Sequence, residues 1–393
     1  MKYNFDKNID RSDNYSAKWS EMEDRFGSND LLPMWIADMD FYAPDFILNS
    51  LNERLDQGVF GYVSDPDSYV YSILNWLDNR YSWKVRPSDI LFSPKVVTSI
   101  SLIINSLTNV NDKIMILQPV YPPFASVVTN NNRQLVVSSL IKDENNYYTI
   151  DFNDIENKIS DVKLFILCNP HNPVGRVWKK DELTKLGEIC LQNNVRIISD
   201  EIHSDIIMKN NKHIPIASIN DEFANNTITC MAPTKTFNLA GLSTSFMIIH
   251  NEDDYSKIND SLDNLHLRRT NAFSLVATNS AYTYGEDWLS ELLIYLEDNI
   301  DYCIDFINEY IPSINVCKPE GTYLLWLDFS NLDLDDDSIQ KHLLEIGKVA
   351  LNEGYTFGIG GNGFFRMNIA CPRYMVIDGL NRIKLTVDAI LKN

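Results

Sequence analysis

The chain has 393 residues, 45% of them hydrophobic, which is enough for two domains and a sizeable core. A net charge of −20 argues against nucleic acid and anionic membrane surfaces as direct partners. Six scattered cysteines without CxxC spacing fit a reducing cytosol, and no zinc or other metal site is expected. The N-terminal residues lack the apolar core of a signal peptide, and no apolar run is long enough for a membrane span.

Residues 1 to about 30 are polar. LLPMWIADMDF, at 31–41, is a short apolar stretch with an acid pair, Asp38 and Asp40; its local pattern allows an edge strand. Residues 43–57 begin with Pro44 and Asp45 and read as a helix that Gly58 stops. FGYVSDPDSY follows from Phe60. Residues 69–80 carry Val70, Ile73, Leu74 and Leu77 at helical spacing. Residues 90–92 form a short strand, and a helix starts at about Val96. A strand over 112–117 runs into QPVYPPF, which carries Tyr121. Residues 127–139 and 147–150 read as further strand and turn.

The apolar strand 162–167 runs into CNPHNPVGRVW, dense in Asn, Pro and Gly and carrying Asn172. A helix over about 180–193 leads to RIISDEIHSD, a buried strand ending at Asp200, with His203 three residues on. Residues 227–232 form another buried strand. Pro233 ends it, because proline cannot donate to a ladder. Lys235 then sits on a turn between Thr234 and Thr236, followed by the small residues Ala240 and Gly241. Residues 286–311 carry apolar side chains at the spacing of one long amphipathic helix. NLDLDDDS, from Asn331, lacks the spacing of a calcium loop and reads as solvated turn. The last 70 residues mix short strands and helices and include GFFRMNIACPR, with Arg366.

Strand and helix alternate from 90 to about 250, which indicates an α/β layer with a mostly parallel sheet. Ligands bind such sheets beyond the strand C-termini. Tyr121, Asn172, Asp200 and Lys235 all fall there. Taken singly, Lys235 reads as a loop lysine, Asp200 as a strand-end cap and His203 as a core histidine. As a set they suggest chemistry: a desolvated lysine loses proton affinity and becomes a nucleophile able to form a Schiff base. The helix from Val96 offers unpaired N–H groups that suit a phosphate.

Together ADMDF, YPPF, PHNPVGRVW, SDEIH, TKTFNLAGL and RMNIACPR resemble the fold-type I pyridoxal-phosphate (PLP) enzymes of the class I/II aminotransferase family. Within it the chain is most similar to the cystathionine β-lyase, or cysteine C–S lyase, branch. The resemblance runs from Pro33 to the CPR at Cys371. It implies a large PLP-binding domain with a seven-stranded, mostly parallel sheet (46–285) and a smaller α+β domain (286–393). Residues 1–45 would pack on the small domain and cover the site.

The resemblance also assigns roles. Lys235 would hold PLP and act as general base, Asp200 would pair with the pyridine nitrogen, and Tyr121 would stack on the ring. Asn172, supported by His203, would bond the ring oxygen. The phosphate would meet the Val96 and Val97 backbone, Thr234 or Thr236, and Tyr62 from the partner of a homodimer. Arg366 would clamp the substrate carboxylate near the backbone of Ile36 and Ala37, with Asn172. Two positions depart from the wider family: Lys95 replaces the usual glycine, and Ser243 replaces a phosphate-binding arginine. Lys95 is expected to supply some of the missing charge. The expected reaction is β-elimination on cystathionine or related cysteine S-conjugates in the cytoplasm. Two alternatives are an aminotransferase and a PLP-binding regulator that acts through a protein partner.

Overall fold

The computed structural model describes residues 2–64 and 66–392. Among the described residues fifteen strands follow in chain order: β1 (Leu32–Pro33), β2 (Ile90–Ser93), β3 (Lys113–Gln118), β4 (Gln134–Ser139), β5 (Ile141–Lys142), β6 (Tyr148–Thr149), β7 (Val162–Cys168), β8 (Arg196–Asp200), β9 (Thr227–Met231), β10 (Ser245–Ile249), β11 (Asn315–Val316), β12 (Leu324–Asp328), β13 (Val349–Ala350), β14 (Asn352–Glu353) and β15 (Phe364–Asn368).

Seven of them form one sheet in the order β2-β10-β9-β8-β7-β3-β4. Only β10 runs against its neighbours. This is the aspartate aminotransferase-like fold of type I. The strands read as continuous apolar runs because helices cover both faces. Alternate side chains sort to opposite sides, as the two-residue period of a strand requires. Ile114, Ile116, Leu164 and Ile166 join one buried cluster with Ile100 and Phe124, while Met115, Leu117, Phe165 and Leu167 join another with Leu183 and Leu186.

A second, antiparallel sheet has the order β11-β12-β15-β14. A third core lies between its strands and the helices Asp45–Asp56, Asp67–Tyr81, Glu286–Tyr310 and Arg373–Ile390, with Phe5, Met34, Met39 and Phe41 from the N-terminal segment. β1 pairs in parallel with β13, so the N-terminal segment is fastened to the C-terminal part of the chain.

The helix over 43–57 is Asp45–Asp56, and Gly58 follows it with φ 67°. The long helix is Glu286–Tyr310. Two readings need correction. Residues 127–130 belong to the helix Pro123–Asn130, which buries Phe124, Val127 and Val128 on one face; the strand starts only at Gln134. The adjacent valines suggested strand by propensity, and the helical spacing from Phe124 overrides it. The acidic run is not all solvated turn either. Asp335 caps the helix Asp336–His342 by accepting from Ser338 N at 2.7 Å, and Asp336 accepts from Gly363 N at 2.7 Å. No helix among the described residues is long and apolar enough to cross a membrane.

Candidate active site

β9 is buried along its whole length and delivers the chain to the turn that carries Lys235. Phe237 N bonds Pro233 O at 2.9 Å and Leu239 N bonds Thr234 O at 2.9 Å, so the turn is closed on itself. Lys235 Nζ donates to Ala37 O at 2.5 Å. That carbonyl is held by its own surroundings, because Tyr323 Oη also donates to it at 3.0 Å.

The irregular segment from Trp35 to Phe41 has no ladder beside it, and side chains take its carbonyls instead. Trp35 O accepts from Arg366, Ile36 O and Asp38 O from Asn368, and Met39 O and Phe41 O from Asn238. Asn238 sits on the lysine turn, so one amide ties that turn to the covering segment.

The neighbouring strands bring the remaining groups. Asp200 ends β8, in register with Cys168 on β7 and Cys230 on β9. Burial pushes its carboxyl up to about 7, against the Ile202 N–H and the Lys235 charge, which both favour ionisation. Burial pushes Lys235 down to about 8; Asp38 and Asp200 oppose that shift and Arg366 adds to it. Lys235 is reached through the cavity, yet its amine is enclosed by protein, and the enclosure sets its proton affinity.

His203 is buried edge-on to Tyr323, with ring centroids 5.7 Å apart, and its Nδ1 has no partner. Burial, with the Lys235 and Arg366 charges, holds His203 neutral. Tyr121 follows β3, and its N–H bonds Asn172 O at 3.1 Å. Arg366, on β15, donates from Nη1 to Asn172 Oδ1 at 3.0 Å, and from Nη2 to Trp35 O at 2.9 Å and Asn352 Oδ1 at 2.8 Å. Burial lowers it to about 10, so it stays cationic at neutral pH. Its Nε is buried without a partner.

Ile36, Ala37, Val96, Val97, Tyr121, Asn172, Asp200, His203, Thr234, Lys235 and Arg366 line one cavity of about 520 Å³. Val96 and Val97 open the helix Val96–Leu107, whose N-cap is Lys95. Lys95 has φ −154°, an extended backbone open to any residue, so glycine is not required there. Ser243 also lines the cavity.

Two residues expected at a phosphate site do not line this chain's own cavity, one of them, Tyr62, being expected from a partner. Thr236 is fully buried and donates to Asp205 Oδ2 at 2.8 Å, away from the cavity. Asp205 also accepts from Trp76 Nε1 and Tyr81 Oη, so Thr236 anchors the turn to the helix Asp67–Tyr81. Tyr62 is 96% exposed, and the Arg269 guanidinium lies 5.8 Å from its ring centre. Sequence reasoning missed Asn352, Asn238 and Tyr323. The asparagine inside TKTFNLAGL was the one signal available for Asn238.

This fold, with a lysine, an aspartate and an arginine converging beyond the strand ends, defines a class of enzyme. The aminotransferase class I and II family model matches residues 38–383, and the chain belongs to that family. It is 44% identical to cystathionine beta-lyase PatB of Bacillus subtilis (strain 168), over 97% of this chain and 99% of that protein. It superposes with a TM-score of 0.97 on a PLP-bound protein of Clostridium difficile 630, at 59% identity over 98% and 100% of the two chains. The PLP-bound C–S lyase of Staphylococcus hominis superposes at 0.91, with 35% identity over 98% of each chain.

Proposed function

We propose that the protein is a PLP-dependent carbon–sulfur lyase that cleaves cystathionine or a related cysteine S-conjugate to a thiol, pyruvate and ammonia. The observation that supports PLP chemistry on an α-amino acid is the pairing, on one cavity, of a lysine amine lowered to about 8 with the buried guanidinium of Arg366. The relationship to PatB and to the C–S lyase of Staphylococcus hominis supports the reaction type.

Pyridoxal 5'-phosphate is the cofactor, and the polar groups left open in the cavity fit it. Asp200 resists ionisation until a cation such as a protonated pyridine nitrogen faces it. His203 Nδ1 is buried and lacks a partner. The helix N-terminus at Val96 and Val97 suits the phosphate. Lys235 would hold the cofactor covalently, Tyr121 would stack on its ring, and Asn172 and His203 would meet its ring oxygen. Thr234, Lys95 and a partner's Tyr62 would complete the phosphate site.

Bound there, PLP supplies an electron sink for the pair left on the substrate α-carbon. Arg366 binds the α-carboxylate, with Asn352 and Trp35 O fixing the guanidinium plane. Lys235 Nζ, when not bonded to the cofactor, would be the base placed to take the α-proton. The covering segment at Ile36 and Ala37 limits water. The β-carbon–sulfur bond then breaks, the sulfur leaves with the bonding pair as a thiolate, and it takes up a proton. The remaining three-carbon fragment takes up water and gives pyruvate and ammonia.

In this reading residues 1–45 cover the site, 46–285 form the PLP-binding domain and 286–393 the small domain. The enzyme works in the cytoplasm as a homodimer. The test is to supply cystathionine without a keto acid and to follow pyruvate and thiol together. Equal release of both, abolished in Lys235→Ala, is expected. Turnover that depends on an added keto acid would make it an aminotransferase. PLP binding with neither activity would favour a regulator.

A further inference from the structure

Four cationic side chains line the cavity, Arg25, Lys95, Lys235 and Arg366, against the single carboxylate of Asp200. The whole chain carries a net charge of −20, so this positive cluster is local. The proposed mechanism employs Lys235 and Arg366, and Lys95 is placed by the phosphate. Arg25 is left over.

Arg25 lies in the last turn of the helix Met22–Phe26, which Gly27 ends in the left-handed conformation, φ 72°. Its guanidinium stands 5.3 Å from the Trp35 ring centre and 5.8 Å from that of Phe26. Those two rings meet edge-on at 5.3 Å. Trp35 is itself fixed, since its Nε1 donates to Lys18 O at 3.0 Å and its carbonyl accepts from Arg366. One residue therefore supports both arginines, Arg366 by its carbonyl and Arg25 by its ring. Packing holds Arg25 in place, and among the described residues no hydrogen bond from its guanidinium is seen. Its guanidinium forms a loose ion pair with Glu353, Nη2 to Oε2 3.8 Å, too long for a hydrogen bond, so its N–H groups can still turn to a ligand. The side chain is 44% exposed, as a group at a cavity mouth would be.

We infer that Arg25 is a specificity determinant that binds an anionic group, foremost a carboxylate, on the far side of the substrate sulfur. The inference rests on the lyase reading and narrows it. Arg366 takes the α-carboxylate, and Arg25 takes the carboxylate of the departing thiol. Thioethers with a distal carboxylate, cystathionine among them, are then preferred over neutral ones of the same size.

The test uses the PLP-loaded protein and a matched pair, S-(2-carboxyethyl)-L-cysteine and its neutral amide S-(2-carbamoylethyl)-L-cysteine. Wild type should bind the carboxylate more tightly, read by perturbation of the cofactor absorbance, and turn it over at lower KM. Arg25→Gln should raise KM for the carboxylate about ten-fold, the scale of one charge-assisted hydrogen bond, and leave the amide within two-fold. Arg25→Glu should shift preference towards S-(2-aminoethyl)-L-cysteine. The cofactor spectrum of each variant reports an intact site. Equal effects of Arg25→Gln on the carboxylate and the amide would overturn the inference. So would equal binding of the two by wild type, a result that the absorbance titration gives even if neither compound is cleaved. Absence of cleavage with a retained carboxylate preference would overturn the lyase reading and leave the distal-anion site standing.

Discussion

Burial acts on Asp200 and Lys235 in opposite senses, because in each it disfavours the charged form. Asp200 rises to about 7 and Lys235 falls to about 8. In the cofactor-free protein the raised Asp200 costs stability as pH climbs, since the unfolded chain ionises near 3.8 and the folded one only near 7. The folded state binds the extra proton between those values, so stability falls as pH rises through that window. Asp200→Asn removes the effect. Its stability relative to wild type should therefore be roughly 2–3 kcal/mol more favourable at pH 8 than at pH 5 in urea unfolding of the cofactor-free protein. A gain that does not change with pH would show that Asp200 is not held neutral. Asn352 lines the cavity and holds Arg366. Asn352→Ala should raise KM for the substrate about ten-fold with a smaller change in kcat, because the guanidinium loses one of its anchors. Lys95 is exposed at its helix cap. Lys95→Ala should weaken PLP binding about two- to five-fold, more at low ionic strength, and equilibrium dialysis against PLP would measure it.

The segment from Trp35 to Phe41 shows how an element without regular structure can still be rigid. Below it, Lys18 Nζ bonds Asp40 Oδ2 at 2.5 Å, and Arg11 Nη1 bonds Asp40 Oδ1 at 2.6 Å while its Nη2 reaches Asp38 Oδ2 at 2.6 Å. Burial alone would raise Asp40, but Lys18 and Arg11 outweigh it and hold the carboxyl below its ordinary value. Lys18 is 1% exposed, so its loss strands charge in the interior. Lys18→Met should cost about 3 kcal/mol in urea unfolding, and adding Asp40→Asn should restore part of it. If Lys18→Met unfolds like wild type, the pair does not fasten the segment. The acid pair was visible in the sequence, but its partners were not. Arg11 and Lys18 sit in a polar stretch, and nothing local marks a lysine that will be buried by contacts made far along the chain. Asn352 was hidden for the same reason. The resemblance offered Thr234 or Thr236 for the phosphate, since hydroxyls flank Lys235 on both sides and the sequence does not show which faces the cavity. The closed turn sends Thr234 into the cavity and Thr236 to Asp205. Local periodicity served better for β7 and for Glu286–Tyr310, where burial follows spacing directly. It failed at Val127 and Val128, where strand propensity and helical spacing disagreed.

At the scale of the whole molecule, the parallel sheet was legible because strands buried on both faces have few polar residues, and the cavity lies where such sheets bind ligands, beyond the strand ends. Assembly was not legible from pattern, because a surface aromatic and an interface aromatic look alike in one sequence. Val59 is 70% exposed, Phe60 59% and Tyr62 96%, an apolar cluster on a stretch without regular structure. A monomer gains nothing from leaving three such side chains in water. We predict that a second copy covers them and that Tyr62 serves the other chain's phosphate site. Sedimentation should then give twice the chain mass of 45.2 kDa. Tyr62→Phe should leave the dimer intact, because the ring remains, and weaken PLP binding about ten-fold, because a hydrogen bond to a charged phosphate is lost. The two readouts separate the roles. Weakened PLP binding in an intact dimer places the hydroxyl in the neighbouring site, whereas an unchanged PLP affinity, or a fully active monomer on dilution, removes Tyr62 from the site.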